Sequence, residues 1–136
     1  MTVLIASFVI HVSNVWQTAE WYRQVFDFKA TIAPNAGSAQ LDVTGHLLTF
    51  VSHDAQAENF GPRRFNSFLS DPAAFHLDMA TAEVQQLFDH ALTHGAVPVL
   101  DPAPDAQGRL IATLRDLNGV LIQLTQLLPL PQETSN

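Results

Sequence analysis

The second half of the chain repeats the order of elements found in its first half, and this duplication constrains the fold more than any other feature. In each half, a strand pattern leads into a helical pattern and then into three short strand patterns, the order βαβββ. Ser7 and Tyr22 lie 69 residues before His76 and Ala91, whereas Gly45 lies 74 residues before Gly119. Extra residues in the long hairpin of the second half account for the difference. We therefore predict an α+β fold made of two βαβββ modules.

Alternation and capping patterns place the elements within each module. Phe8, Ile10 and Val12 alternate with other residues as on a strand, and Asn14 is suited to cap the helix that follows. We predict Thr81 as the cap of the second helix and Gly95 as its end. Further strands are predicted at residues 30–32, 39–43, 47–51, 75–79, 97–100, 110–114 and 120–125, with a turn at 101–104.

The length of 136 residues is that of one domain with a core of useful size. We predict a single domain over residues 1–136. Within it, module one covers about 3–53, a connector covers 54–72, module two covers about 73–128, and a tail covers 129–136.

Composition excludes several kinds of partner and site. The chain has no cysteine, which removes disulfides, thiolate metal sites and cysteine nucleophiles. Its formal net charge of −7 disfavours nucleic acid and anionic membrane surfaces, and it favours a cationic ligand. The apolar start of the chain is too short to cross a bilayer and has no leading basic residue. We therefore expect a cytoplasmic protein that binds neither nucleic acid nor membrane.

The segment from Phe75 to Met79 carries the clearest sign of a site. On a strand, Phe75, Leu77 and Met79 share one face, whereas His76 and Asp78 share the other. Because an unpaired buried His or Asp is costly, the second face must meet water, a partner or a ligand. We interpret it as one wall of a cavity.

Motifs spread over nearly the whole chain resemble the vicinal oxygen chelate superfamily, which contains glyoxalase I, extradiol dioxygenases and bleomycin-resistance proteins. The matching segments are Val12-Ser13-Asn14, Glu20-Trp21-Tyr22-Arg23-Gln24-Val25-Phe26-Asp27-Phe28 and Asp116-Leu117-Asn118-Gly119-Val120-Leu121-Ile122-Gln123. The resemblance implies curled mixed sheets around a cleft, and a homodimer. These motifs are specific for a fold that hosts many activities.

The resemblance also implies four inward positions that hold a divalent metal in the superfamily's metalloenzymes. Carried over residue by residue, they are Ser7, Thr49, His76 and Gln123. Three of the four lack the usual His or Glu, and no carboxylate is among them, so we predict no bound metal or other cofactor. If a divalent metal binds, His76 and Gln123 are its ligands.

Other side chains complete the predicted ligand-binding set. His11 shares the face of Ser7 and is placed at the cavity rim, Asp78 supplies a negative charge, and Trp16 and Phe65 offer flat contact surfaces. His90 and His94 have the i, i+4 spacing that can bind zinc, but we interpret them as the exposed end of a helix.

These observations favour a small-molecule binding protein of the bleomycin-resistance type, which sequesters a cationic or aromatic compound without catalysis. The alternative is a divalent-metal-dependent lyase or dioxygenase of the same superfamily, so enzymatic activity is left open. A third possibility is a dimeric interaction module without a small ligand.

Overall fold

A computed structural model describes residues 1–4, 7–33, 37–43, 45–52 and 75–127. The chain divides into two compact units, residues 1–67 and 68–136, and the division falls inside the predicted connector. Among the described residues, each unit shows one helix and one four-stranded mixed sheet, so the duplicated βαβββ plan is confirmed. The connector and tail lie outside the described residues.

The described elements of the first unit run from strand β1 to strand β4. Its elements are β1 (Phe8–Val12), α1 (Val15–Phe26), β2 (Lys29–Ile32), β3 (Ser38–Val43) and β4 (His46–Ser52). The sheet has the order β1-β4-β3-β2, in which β1 is parallel to β4 and the other neighbours are antiparallel. Because β1 and β4 are parallel, the chain reaches β4 only after the helix and two strands, as a crossover connection requires.

Local chemistry fixes both ends of α1. As predicted, Asn14 caps the helix, and its side-chain oxygen accepts a hydrogen bond from the backbone N–H of Gln17 at 2.9 Å. Asp27 ends the helix in the left-handed conformation, with φ at 60°, and its N–H donates to the carbonyl of Arg23.

The buried side of α1 covers one face of the first sheet. Tyr22 and Phe50 are fully buried, and their rings contact each other with centroids 5.0 Å apart. Because alternate strand residues point to opposite faces, the neighbours of Phe50 on β4, including Thr49, lie on the face away from α1. The sheet therefore has a core face, which packs on α1, and an opposite face, which carries Thr49.

The second unit repeats this arrangement. Its elements are β5 (Leu77–Thr81), α2 (Val84–Thr93), β6 (Val97–Pro104), β7 (Leu110–Arg115) and β8 (Leu121–Gln126), and the sheet order is β5-β8-β7-β6. Val84, Phe88 and Ala91 of α2 are buried together with Ile122 and Leu124 of β8. Gly95 follows α2 with φ at 97°, as the prediction of a glycine terminus requires.

Three details of the second unit differ from prediction. The first strand begins and ends two residues later than the predicted 75–79. Thr81 is not the helix cap: it ends β5, and its hydroxyl accepts from the N–H of Glu83, which holds the N-cap position. Strand β6 continues through Asp101–Pro104, where we predicted a turn, because two register shifts let an edge strand accommodate its prolines.

The register of the parallel strand pairs, β1 with β4 and β5 with β8, confirms that the modules are equivalent. Val9 lies opposite Thr49 on the first sheet, and Asp78 lies opposite Gln123 on the second. These pairs correspond under the two sequence offsets of the repeat. Within the described ranges, no helix is long and apolar enough to cross a membrane.

Candidate functional site

The face of the second sheet that points away from α2 carries a row of polar side chains. Asp78 on β5 is opposite Gln123 on β8, and Gln123 is opposite Thr113 on β7. Directly opposed residues on neighbouring strands point to the same face. The carboxylate, the amide and the hydroxyl therefore form one continuous row across three strands.

Hydrogen bonds connect this row to its neighbour. The hydroxyl of Thr125 donates to Oδ1 of Asp78 at 2.7 Å. Nε2 of Gln123 lies 3.4 Å from the same hydroxyl oxygen and donates to it. The Gln123 amide, the Thr125 hydroxyl and the Asp78 carboxylate thus form a chain of hydrogen bonds that ends at the carboxylate. This arrangement restricts the rotamer of Asp78 on an exposed part of the sheet.

Sequence reasoning missed Thr125 and Thr113. Thr125 lies two positions after Gln123, so strand alternation alone places both on one face. Thr113 is 8% exposed, although it lies on the polar face. The register of β7 against β8 is what places Thr113 opposite Gln123, and no local pattern of the sequence specifies that register.

His76 and Leu100 lie near the two ends of the row. His76 is exposed and precedes β5 by one residue, so it lies just outside the strand on which alternation was predicted to place it beside Asp78. At the other edge, Leu100 of β6 is opposite Thr113, and its side chain is 60% exposed. The face therefore combines a negative charge, neutral hydrogen-bonding groups and an accessible apolar surface.

The corresponding face of the first sheet is polar but carries no charge in the equivalent row. Val9 is opposite Thr49, Thr49 is opposite Gln40, and Gln40 is opposite Thr31. His11 lies two positions after Val9 on β1, so it shares this face and is half-buried, whereas Ser7 precedes β1 by one residue. Thus His11 and Thr49 share one sheet face, and Asp78 and Gln123 share a face of the other sheet, whereas Ser7 and His76 are the residues just before β1 and β5.

Of the two predicted aromatic contacts, the structure describes only Trp16. Trp16 lies in the first turn of α1, on the helix side of the first sheet, and is 58% exposed. Trp21 is buried, and its ring packs edge-on against Tyr22 and Phe26, so it belongs to the core. Phe65 lies outside the described residues.

The residues at the four superfamily metal positions fit a divalent ion poorly. On the second sheet they offer the imidazole of His76 and the amide of Gln123, whose NH₂ group is directed to Thr125. On the first sheet they offer only the hydroxyls of Ser7 and Thr49. Neutral oxygens do not compensate for dehydration of a divalent ion as carboxylates do. Among the residues that the structure describes, no three His, Asp or Glu side chains cluster in a way that could hold a metal ion.

Solved structures of low sequence identity share this fold. A hypothetical protein from S. aureus aligns with a TM-score of 0.79 and 18% identity over 93% of this chain and 96% of its own. A glyoxalase/bleomycin resistance protein/dioxygenase family enzyme from Burkholderia phytofirmans PsJN aligns with a TM-score of 0.73 and 21% identity, covering 90% of this chain and 98% of its own.

A third structure is a mutant of the genomically encoded fosfomycin resistance protein FosX from Listeria monocytogenes, in complex with Mn(II) and 1S,2S-dihydroxypropylphosphonic acid. It aligns with a TM-score of 0.69 and 12% identity, and the alignment covers 92% of this chain and 90% of that protein. At such identities the likeness concerns the fold. No curated protein sequence matches the chain significantly.

The family model is the most direct comparison. The model of the glyoxalase-like domain matches residues 7–125, a range that starts just before β1 and ends one residue before the end of β8. This agrees with the superfamily inferred from the sequence motifs. The chain belongs to the glyoxalase-like domain family.

Proposed function

We propose that this protein binds a small cationic or aromatic molecule, as bleomycin-resistance proteins do, and sequesters it without a bound metal. The observation that carries the proposal is the Asp78 carboxylate, which is exposed and oriented by the Thr125 hydroxyl at 2.7 Å. An oriented carboxylate attracts a cationic group and costs little further ordering when the ligand arrives. The physiological consequence we propose is resistance to a toxic compound.

Neighbouring groups suit the remainder of such a ligand. The Gln123 amide lies in the same row as Asp78 and provides a hydrogen bond that fixes orientation. The exposed side chain of Leu100 provides apolar contact at the end of the row. The net charge of −7 adds a general attraction for cations. Ligand sites typically combine apolar surface with a few such polar groups.

The experiment is a calorimetric titration of the full chain with two probes, metal-free bleomycin and benzyltrimethylammonium. Asp78→Asn removes the charge and retains the shape, so we expect at least tenfold weaker binding of the cationic probe. Asp89→Asn is the matched control: it makes the same charge change on α2, which covers the other face of the sheet. Equal affinity in wild type and Asp78→Asn would refute the assignment of this face.

One observation favours the alternative of a metal-dependent lyase or dioxygenase. His76 is accessible beside Asp78, and the similarly folded FosX protein was solved with Mn(II). In that case His76 and Gln123 would be metal ligands, and His11 or Asp78 would transfer protons. Elemental analysis of protein purified without chelator separates the two functions. Stoichiometric Mn, Fe, Ni or Zn that is lost in His76→Ala would contradict the binding-only proposal.

The proposal includes a homodimer and a cytoplasmic location, both inferred from the sequence. Light scattering coupled to size-exclusion chromatography measures the mass directly, and a monomer at micromolar concentration would contradict the dimer. If neither probe binds but a dimer forms, the interaction module becomes the better explanation.

A further inference from the structure

A positive charge shares the sheet face that carries the Asp78 carboxylate. Arg115 of β7 is opposite Leu121 of β8. Leu121 lies two positions before Gln123, which is the residue opposite Asp78. Because alternate residues of a strand share a face, the side chain of Arg115 lies on the same face as that of Asp78. Both side chains reach solvent, since Asp78 is exposed and Arg115 is half-buried.

Strand geometry sets the distance between these two residues. They are separated by two strand spacings of about 4.8 Å each across the sheet and by two residues of about 3.3 Å each along it. The backbone positions of Asp78 and Arg115 are therefore about 12 Å apart. Between them lie the amide of Gln123 and the half-buried side chain of Leu121.

Hydrogen bonds hold each charge away from the other. Oδ1 of Asp78 accepts from the Thr125 hydroxyl at 2.7 Å, and Thr125 lies on the side of this row away from Arg115. Nη1 of Arg115 donates to the carbonyl oxygen of Gly119 at 2.7 Å, in the turn on the side away from Asp78. Within the part of the chain that the structure describes, Arg115 makes no ion pair. The face therefore presents two opposite charges that do not neutralise each other.

The guanidinium of Arg115 retains donors for a ligand. It has five N–H groups in a planar fork, and the bond to Gly119 engages Nη1. Such a fork can hold a carboxylate by two parallel hydrogen bonds. The net charge of −7 repels a free anion, so a carboxylate reaches Arg115 most readily as part of a molecule that also carries a cation.

We propose that the ligand of this face is a zwitterion, whose cationic group meets Asp78 and whose carboxylate meets Arg115. This inference rests on the proposed binding function and narrows the class of its ligand. A linker of about 12 Å between the two charges matches the spacing on the sheet. Its apolar part passes over the side chain of Leu121, and Gln123 offers a hydrogen bond beside it.

The test is calorimetric titration of the full chain with 10-(trimethylammonio)decanoate and with its methyl ester, which keeps the cation and the linker but lacks the anion. Wild type is expected to bind the zwitterion at least fivefold more tightly than the ester. Arg115→Gln should bind the two within twofold of each other, whereas Arg115→Lys, which keeps the charge, should retain at least a twofold preference. The matched control is Arg23→Gln, which removes the same charge from α1 and should keep the full preference.

The linker length provides a second test on wild type alone. The shorter 4-(trimethylammonio)butanoate cannot reach from Asp78 to Arg115, so it should bind no more tightly than its own methyl ester. An equal preference for the short zwitterion would overturn the assignment of two separated charges. Because every comparison is a ratio of two affinities in one variant, destabilisation of the turn at Gly119 lowers both affinities and leaves the ratio unchanged.

The two probes separate this inference from the proposed function. If the long ester binds and Asp78→Asn weakens that binding, but wild type does not prefer the zwitterion, the zwitterion inference is overturned and cation binding stands. If neither long probe binds, or if Asp78→Asn leaves both affinities unchanged, both proposals are overturned. A full preference for the zwitterion in Arg115→Gln also overturns the inference, because the carboxylate then has another partner.

Discussion

Replacement of Asp116 by Ala should destabilise the second unit strongly. Asp116 belongs to a motif that resembles the family's, and we expect its role there to be structural. Asp116 is 2% exposed, and its Oδ1 accepts hydrogen bonds from the N–H groups of Asn118 at 2.8 Å and Val120 at 2.9 Å. The backbone of Asp116 also pairs with Val120 and Gly119. The carboxylate thus closes the turn that leads from β7 into β8.

The expected loss in the free energy of unfolding follows from the burial of the two N–H donors. The N–H of Val120 is buried, so leaving it unpaired costs about 1–3 kcal/mol, whereas the part-buried N–H of Asn118 costs about 1 kcal/mol because water can reach it. We expect Asp116→Ala to lower the free energy of unfolding by about 2–4 kcal/mol. At a urea m-value of about 2 kcal/mol/M, the midpoint falls by about 1–2 M.

Far-ultraviolet circular dichroism is the appropriate assay, because it follows the strands and helix of the second unit directly, whereas Trp16 and Trp21 both lie in the first unit. Asp116→Asn keeps a side-chain oxygen acceptor and should lose less than about half as much stability. Asp105→Ala is the comparison variant. It removes the same kind of hydrogen bonds from a less buried turn, in which Asp105 Oδ1 accepts from the N–H groups of Gln107 and Arg109. If Asp116→Ala costs no more than Asp105→Ala, burial does not control the energy of these turns and the reasoning fails.

Three further predictions concern the first unit. Asn14→Ala should cost about 1 kcal/mol in urea unfolding and Asn14→Ser little, and an equal loss in both would exclude a capping role. Phe50→Ala, at a fully buried site, should cost about 3–5 kcal/mol, against less than about 1 kcal/mol for Phe8→Ala at a 57% exposed site. The hydrogen bond from Arg23 lowers the pKa of Glu20, so Arg23→Gln should raise that pKa in a carboxyl NMR titration. The stabilisation it gives is present above the unfolded-state pKa and is lost as pH falls through the folded-state pKa; an unchanged pKa would contradict the pairing.

Patterns local to a few residues predicted most of the fold. Asn14 at the start of α1 and Gly95 at the end of α2 were identified because capping chemistry depends on residue type at one position. The repeat predicted the order of elements in the second unit, and the register of Val9 with Thr49 and of Asp78 with Gln123 agrees with it.

Features that depend on contacts between distant strands were harder to predict. The prolines of β6 indicated a turn, but the pairing of Pro98 with Leu114 and of Pro104 with Leu110 keeps the segment extended. In the candidate site, alternation placed His76 and Asp78 on one face, and the family resemblance added Gln123. Thr125, which orients Asp78 from 47 residues away along the chain, was not identified, because only the parallel pairing of β5 and β8 brings the two together.

Strand β6 has a consequence for self-association. An outer strand with free N–H and C=O groups is a template on which another chain can extend the sheet, and such addition leads to aggregation. Three of the eight residues of β6 are proline and contribute no N–H donor, and its two register shifts interrupt the spacing of the remaining groups. A second chain therefore meets an irregular edge on which a continuous hydrogen-bond ladder cannot form. The prolines that obscured this strand in the sequence also protect it from uncontrolled polymerisation.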